Sequence, residues 1–109
     1  MELPKEQPVP QRDDALRAEP VINLPRFGSY LKGLRVRQGY EAAEQLIETL
    51  KTQHGVEVST RTMWAIERGE QLPRLDLLLA LLVVLDERLD YFYPAFRDDI
   101  VERLRGRDL

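Results

Sequence analysis

From Pro25 onward the apolar positions recur every three or four residues, the period of helices that pack along one face. Phe27, Tyr30, Leu31 and Leu34 predict a helix over about 26–38. Pro25 suits its first position and Gly39 its C-cap. Arg35 lies beside this stripe, while Lys32 and Arg37 point elsewhere. Ala43, Leu46, Ile47 and Leu50 predict a second helix over about 41–53 that ends near His54 and Gly55. Glu41, Glu44 and Glu48 lie on its outer side, where acids in the first turn suit the helix dipole. Val56 and Val58 alternate around Glu57, and one or both can tuck under the helices. Further on, 77–85 (LLLALLVVL) is nine apolar residues without a break. It predicts a helix over about 74–85 buried on all sides, centrally or under a second subunit. Leu89, Tyr91 and Phe92 read as a short fifth helix stopped by Pro94. Phe96, Ile100, Val101 and Leu104 form the stripe of a last helix over 95–105, closed by Gly106.

Between the second and fourth helices lies 59–69, STRTMWAIERG. At about 100° per residue, Thr60, Arg61, Trp64, Ala65 and Arg68 share one arc. Thr62, Met63, Ile66 and Glu67 fill the complementary arc. Ser59 suits the N-cap, because its hydroxyl can accept from a backbone N–H without a partner. Gly69 suits the position after the helix, where φ is positive. The outer arc carries two arginines, a threonine and a tryptophan, a set able to grip phosphates and read base edges.

The first 25 residues break the pattern. They hold five prolines (Pro4, Pro8, Pro10, Pro20, Pro25) and no periodic stripe, so 1–25 reads as a flexible arm. Val21 to Leu24 is read with it, a short strand or a contact with the core being the alternatives. The prediction is therefore an all-α chain in three parts. An arm (1–25) leads into a compact five-helix domain (26–93), followed by an added C-terminal helix (94–109).

Charge modifies this picture only slightly. The net charge is −3, which argues against a nucleic-acid binder, but the distribution is uneven. Residues 26–75 carry eight basic and six acidic groups. Residues 1–25 carry three and five, and 76–109 five and eight. The basic excess thus surrounds the 59–68 helix. There is no cysteine, hence no disulfide framework and no thiolate metal site. No segment approaches the ~20 apolar residues of a membrane span. The N-terminus lacks a basic region followed by an apolar run. A cytoplasmic protein without a membrane role is expected.

Helices two and three with a glycine-bearing connection look like a helix-turn-helix. The wider pattern resembles the lambda-repressor-like, or xenobiotic response element, family of DNA-binding domains over about 26–93. The residues that carry the resemblance are Leu31-Lys32-Gly33-Leu34-Arg35, Gly39-Tyr40 and Glu44-Gln45-Leu46-Ile47. They continue with Val58-Ser59, Ile66-Glu67-Arg68-Gly69, Pro73-Arg74-Leu75 and Leu89-Asp90-Tyr91-Phe92. The resemblance implies that helix 59–68 enters the major groove with Thr60, Arg61, Trp64 and Ala65 at the bases. Arg61 would take a guanine, and Ser59 and Arg68 the DNA backbone. It also implies an ion pair between Arg35 and Glu67, which explains a carboxylate on the inward arc. Two features depart from the family. Ala42 and Ala43 stand where a phosphate-binding glutamine is usual, and the segment from Leu50 to Ser59 is several residues longer than the usual turn.

No enzyme is expected. His54 is the one histidine, before a glycine at a helix end, where it serves as a cap or meets solvent. Asp98 and Asp99 are adjacent and diverge on a helix, and Asp13 and Asp14 fall in the arm. No catalytic set, metal ligand cluster or cofactor site is visible. Two readings follow. The first is a sequence-specific regulator of double-stranded DNA, a dimeric repressor of phage or bacterial type on an inverted-repeat operator, with Phe96, Ile100, Val101 and Leu104 as the preferred dimer interface, their packing back on their own domain being the alternative. The second is a protein-binding adaptor on the same scaffold, an antitoxin or an inhibitor of a transcription factor. There Arg61, Trp64 and Arg68 would form a hot spot for a regulatory protein partner.

Overall fold

Asn23 starts the first helix. Its side-chain oxygen accepts from the Arg26 backbone N–H at 3.0 Å, and Pro25 sits in the first turn, where no N–H is needed. The computed structural model describes residues 20–107. They form five helices: α1 (Leu24–Arg37), α2 (Ala43–His54), α3 (Thr60–Glu67), α4 (Leu75–Val84) and α5 (Leu89–Arg107). There is no strand among the described residues, and none of their helices is long and apolar enough to cross a membrane. Residues 1–19, with most of the predicted arm, lie outside the described part.

The helices close on one core. Phe27, Leu31 and Leu34 of α1 meet Leu46 and Leu50 of α2, Met63 and Ile66 of α3, Leu81 of α4, and Phe92 and Phe96 of α5. Both valines of the α2–α3 connection pack against this core, half-buried. At one end Tyr30 and Phe92 each stand 5.3 Å from Phe96, ring centre to ring centre. Such tilted and edge-to-face pairs add to the burial of area.

Four sequence expectations are corrected here. Pro94 does not stop a helix: α5 runs through it to Arg107. Proline inside a helix costs about 3 kcal/mol. The two flanking phenylalanines, Phe92 and Phe96, are both buried, each contributing about 1.5–3 kcal/mol. Burial on both sides of the proline outweighs the break. The predicted boundary at residue 94 therefore falls inside one helix.

The stripe expected to form a dimer interface packs largely on its own domain. Phe96 is 1% exposed, Ile100 rests on the core, Val101 is half-buried, and only Leu104 is exposed.

Nor is α4 buried all round. Leu77, Leu81 and Leu82 are inside, whereas Leu75, Leu79 and Val83 are 70%, 43% and 75% exposed. Among the described residues its neighbours cover a single side.

The end of the predicted arm is also ordered onto the domain. Ile22 packs on the core, the Asn23 backbone N–H donates to Asp99 at 3.2 Å, and Arg103 donates to the Pro20 carbonyl at 3.5 Å.

Candidate nucleic-acid interface

The α2–α3 pair is built by local chemistry at each junction. Ala42 offers no side-chain cap to α2. Gln45 compensates: its side-chain oxygen accepts from the Ala42 N–H at 2.9 Å. The helix reaches His54 and ends at Gly55, whose φ is +67°. A link of five residues, 55–59, follows. The long segment between Leu50 and Ser59 is thus partly extra helix and partly connection. Ser59 then caps α3, its Oγ accepting from the Thr62 N–H at 3.0 Å. The same hydroxyl donates to Thr62 Oγ1 at 3.0 Å. Its proton is already used within α3, so a phosphate contact from Ser59 requires that hydroxyl to turn.

An isolated helix of eight residues is not stable in water, so α3 owes its position to its neighbours. Met63 and Ile66 are its buried anchors. Arg35 of α1 grips Glu67 with two parallel bonds, Nε to Oε2 at 2.7 Å and Nη2 to Oε1 at 3.1 Å. Its remaining nitrogen, Nη1, donates to the Tyr40 carbonyl at 2.7 Å. The two side chains are 5% and 10% exposed. The expected Arg35–Glu67 pair is therefore present, buried and bidentate.

Two glycines let the backbones come close. A Cβ on Gly28 would lie 2.5 Å from the Glu67 carbonyl oxygen and 2.6 Å from that of Ile66. A Cβ on Gly69 would lie 2.6 Å from Pro25 Cα, and Gly69 also has a φ of +79°. There the Gly69 N–H bonds the Ile66 carbonyl and the Glu70 N–H that of Ala65, satisfying the last turn of α3.

The outward side of α3 carries most of the residues singled out from the sequence. Trp64 is 47% exposed, a large aromatic left outside. Arg61 is exposed and makes no hydrogen bond or ion pair with the described residues. Thr60 is half-buried. Arg68 is exposed and held by Glu70, Nε to Oε2 at 2.9 Å and Nη2 to Oε1 at 3.1 Å. That hydrogen-bonded pair raises the Arg68 pKa further and holds the Glu70 carboxyl below the usual carboxylate range.

Ala65 is corrected: at 7% exposure it faces the packed side. It stands at the edge of the outer arc, about 140° from Thr60, where the neighbours of α3 reach it.

Sequence reasoning missed Lys32. It lines a groove with Trp64 and Arg68, to which Ala43 and the Arg35–Glu67 pair also contribute. The signal was present in the spacing. Lys32 lies three residues before Arg35, and the residue that reaches α3 identifies the side of α1 next to it. The surface is mixed in sign, since Glu48, Glu57 and Lys51 line a second groove beside Ser59 and Thr60.

The remaining polar candidates are dispersed. His54 is exposed in the last turn of α2. Asp98 points into solvent, while Asp99 accepts from Asn23 and pairs with Arg103 at 3.1 Å. They do not form a paired carboxylate site. Asp13 and Asp14 lie outside the described residues.

Comparison of the chain with protein-family models, with curated proteins and with solved structures finds no match.

Proposed function

We propose that this chain is a sequence-specific regulator that binds double-stranded DNA through a helix-turn-helix of the lambda-repressor-like type, acting as two copies and as a repressor. The observation that carries this reading is the two-sided character of α3. Its inner side is clamped by Arg35, Gly28 and the core, and its outer side presents Arg61, Trp64 and Arg68 on a rigid support. A helix this short and this exposed fits the width of a major groove. Arg61, which spends none of its five donors on the described residues, suits the O6 and N7 acceptors of a guanine. Trp64 suits a sugar or a thymine methyl. Arg68 and Lys32 suit phosphates on either side, and Thr60 a base edge at the start of the helix.

The test is selection of random duplex DNA by the purified chain at two salt concentrations, followed by the same titration with Arg61→Ala. The reading expects an enriched inverted repeat with half-sites about 10 bp apart. Arg61→Ala should cost ~1–3 kcal/mol and relax one base position. Unselective binding at both salts would overturn it. The acidic Glu48, Glu57 and Glu70 around the face would then turn the search to a basic protein partner.

A further inference from the structure

Residues 20–26 run antiparallel to the outer half of α5, and three polar contacts join them in step. Arg26 Nη2 donates to the Ala95 carbonyl at 2.6 Å, the Asn23 N–H to Asp99 Oδ2 at 3.2 Å, and Arg103 Nη1 to the Pro20 carbonyl at 3.5 Å. Along the N-terminal segment the contacts fall at residues 26, 23 and 20. Along α5 they fall at 95, 99 and 103, a spacing of four that keeps them on one face of the helix. Asp99 is the middle rung and serves both sides, because the same Oδ2 also pairs with Arg103 Nε at 3.1 Å. The Arg26 guanidinium lies 4.7 Å from the centre of the Phe96 ring, and Ile22 and Ile100 both pack against the core.

Every α5 residue in these contacts comes after Pro94. Having no N–H, Pro94 sends no hydrogen bond back to the Asp90 carbonyl, and its ring disturbs that turn of the helix. The junction between 89–93 and 95–107 is therefore the natural bending point of α5.

We infer that residues 20–26 form a strap, latched at Asp99, and that 95–107 opens as one unit about Pro94 when the strap lets go. Closed, the strap keeps Phe96, Ile100 and Val101 on their own domain. Opened, it bares that apolar stripe. The chain before Pro20 enters at the outermost rung, so a pull on that end reaches α5 before it reaches α1. The device stands apart from the DNA reading, since none of its residues lies on α3.

Hydrogen–deuterium exchange of the full chain, followed amide by amide by NMR, tests the strap. A detached helix as short as 95–107 frays in water, so opening exposes the amides of 99–104, whose helical acceptors all lie in the outer half. Asp99→Ala should speed their exchange about tenfold, the loss expected when hydrogen bonds to a charged group are removed, and leave 77–84 in α4 unchanged. Alanine favours a helix, so propensity cannot be the cause. Arg26→Met should act in the same direction from the α1 side. An Asp99–Arg103 pair that served only α5 itself would not respond to a change on α1. Asp98→Ala, at a side chain in full solvent one residue away, should change nothing. In a Pro94→Ala background the effect of Asp99→Ala should shrink, because the restored N–H ties the two halves of α5 together.

Unchanged exchange of 99–104 in Asp99→Ala or in Arg26→Met would overturn the strap. So would an acceleration of 77–84 as large as that of 99–104, which is also how a general loss of fold would appear. An undiminished effect of Asp99→Ala in the Pro94→Ala chain would overturn the hinge.

Discussion

Replacing Arg35 by methionine isolates the contact that fixes the candidate reading helix. The substitution keeps most of the aliphatic volume and removes the guanidinium. It leaves the Glu67 carboxylate, 10% exposed, without its partner, and frees the Tyr40 carbonyl. Removing one member of a buried pair costs about 3–5 kcal/mol, because an uncompensated charge stays behind. The 88 residues from 20 to 107 should have a total stability of about 4–13 kcal/mol, at 0.05–0.15 kcal/mol per residue. The loss is thus a large fraction of the whole. On a domain of this size it corresponds to a fall in melting temperature of roughly 12–40 °C. Urea denaturation followed by circular dichroism at 222 nm is the suitable assay, since Trp64 is too exposed for its fluorescence to report the core. Glu67→Met should cost less, as the Arg35 guanidinium left behind keeps its hydrogen bond to the Tyr40 carbonyl. The double variant Arg35→Met with Glu67→Met should recover much of the loss, because an apolar pair leaves no buried charge. A cost below about 1 kcal/mol for Arg35→Met, or strict additivity of the two single changes, would refute the assignment of this pair as the clamp on α3.

Gly28→Ala and Gly33→Ala make an opposed pair. The first places a methyl 2.5 Å from a backbone oxygen of α3 and should destabilise by about 1–3 kcal/mol; the second meets nothing within 4 Å and should stabilise by up to about 1 kcal/mol, both read by thermal melting. Tyr30 is held up at about 12 by burial, then by its hydrogen bond to Glu87 and the charge of that carboxylate. Its folded pKa lies above the ordinary 10.0, so its contribution to stability is complete below pH 10 and is lost as pH rises toward 12. A tyrosine absorbance titration should show one late group, absent in Tyr30→Phe. Glu70→Gln should weaken the hold on Arg68 and remove an acid beside the proposed phosphate site. On the DNA reading it should tighten binding and steepen the salt dependence; equal affinity before and after would count against Arg68 as a phosphate contact.

The parts of this fold that could be read in the sequence are those fixed by local chemistry. Ser59 and Gly69 bounded α3 because capping is decided by one hydroxyl and one positive φ, both expressed within a few residues. The Arg35–Glu67 pair came from the resemblance together with the position of Glu67 on an inward arc. What could not be read depends on which neighbour arrives from far along the chain. Pro94 looked like a stop because the anchoring of Phe92 and Phe96 by Phe27 and Tyr30, more than 60 residues earlier, leaves no local trace. The run 77–85 looked buried all round because composition measures how apolar a helix is and not how many neighbours it has. Ala65 was placed outside by an arc drawn around an isolated helix, whereas packed neighbours cover more than half of its circumference.

The close approach of α1 and α3 links stability to the proposed recognition. The backbones can touch at Gly28 only because no side chain stands between them, and the Arg35–Glu67 pair spans the same two helices beside that contact. These two devices act on the orientation of α3 from different directions. The glycine sets how near the helix lies, and the bidentate pair sets its rotation, because two parallel hydrogen bonds resist turning where one would not. Rotation matters for a reading surface. A turn of about 100° would exchange one residue for its neighbour in sequence at the groove, replacing Arg61 by Thr62. The inward position of the ion pair and the outward freedom of Arg61 are therefore one arrangement. On the DNA reading, any change that loosens Arg35 should blur sequence preference before it removes affinity, since phosphate contacts tolerate a misplaced helix and base contacts do not.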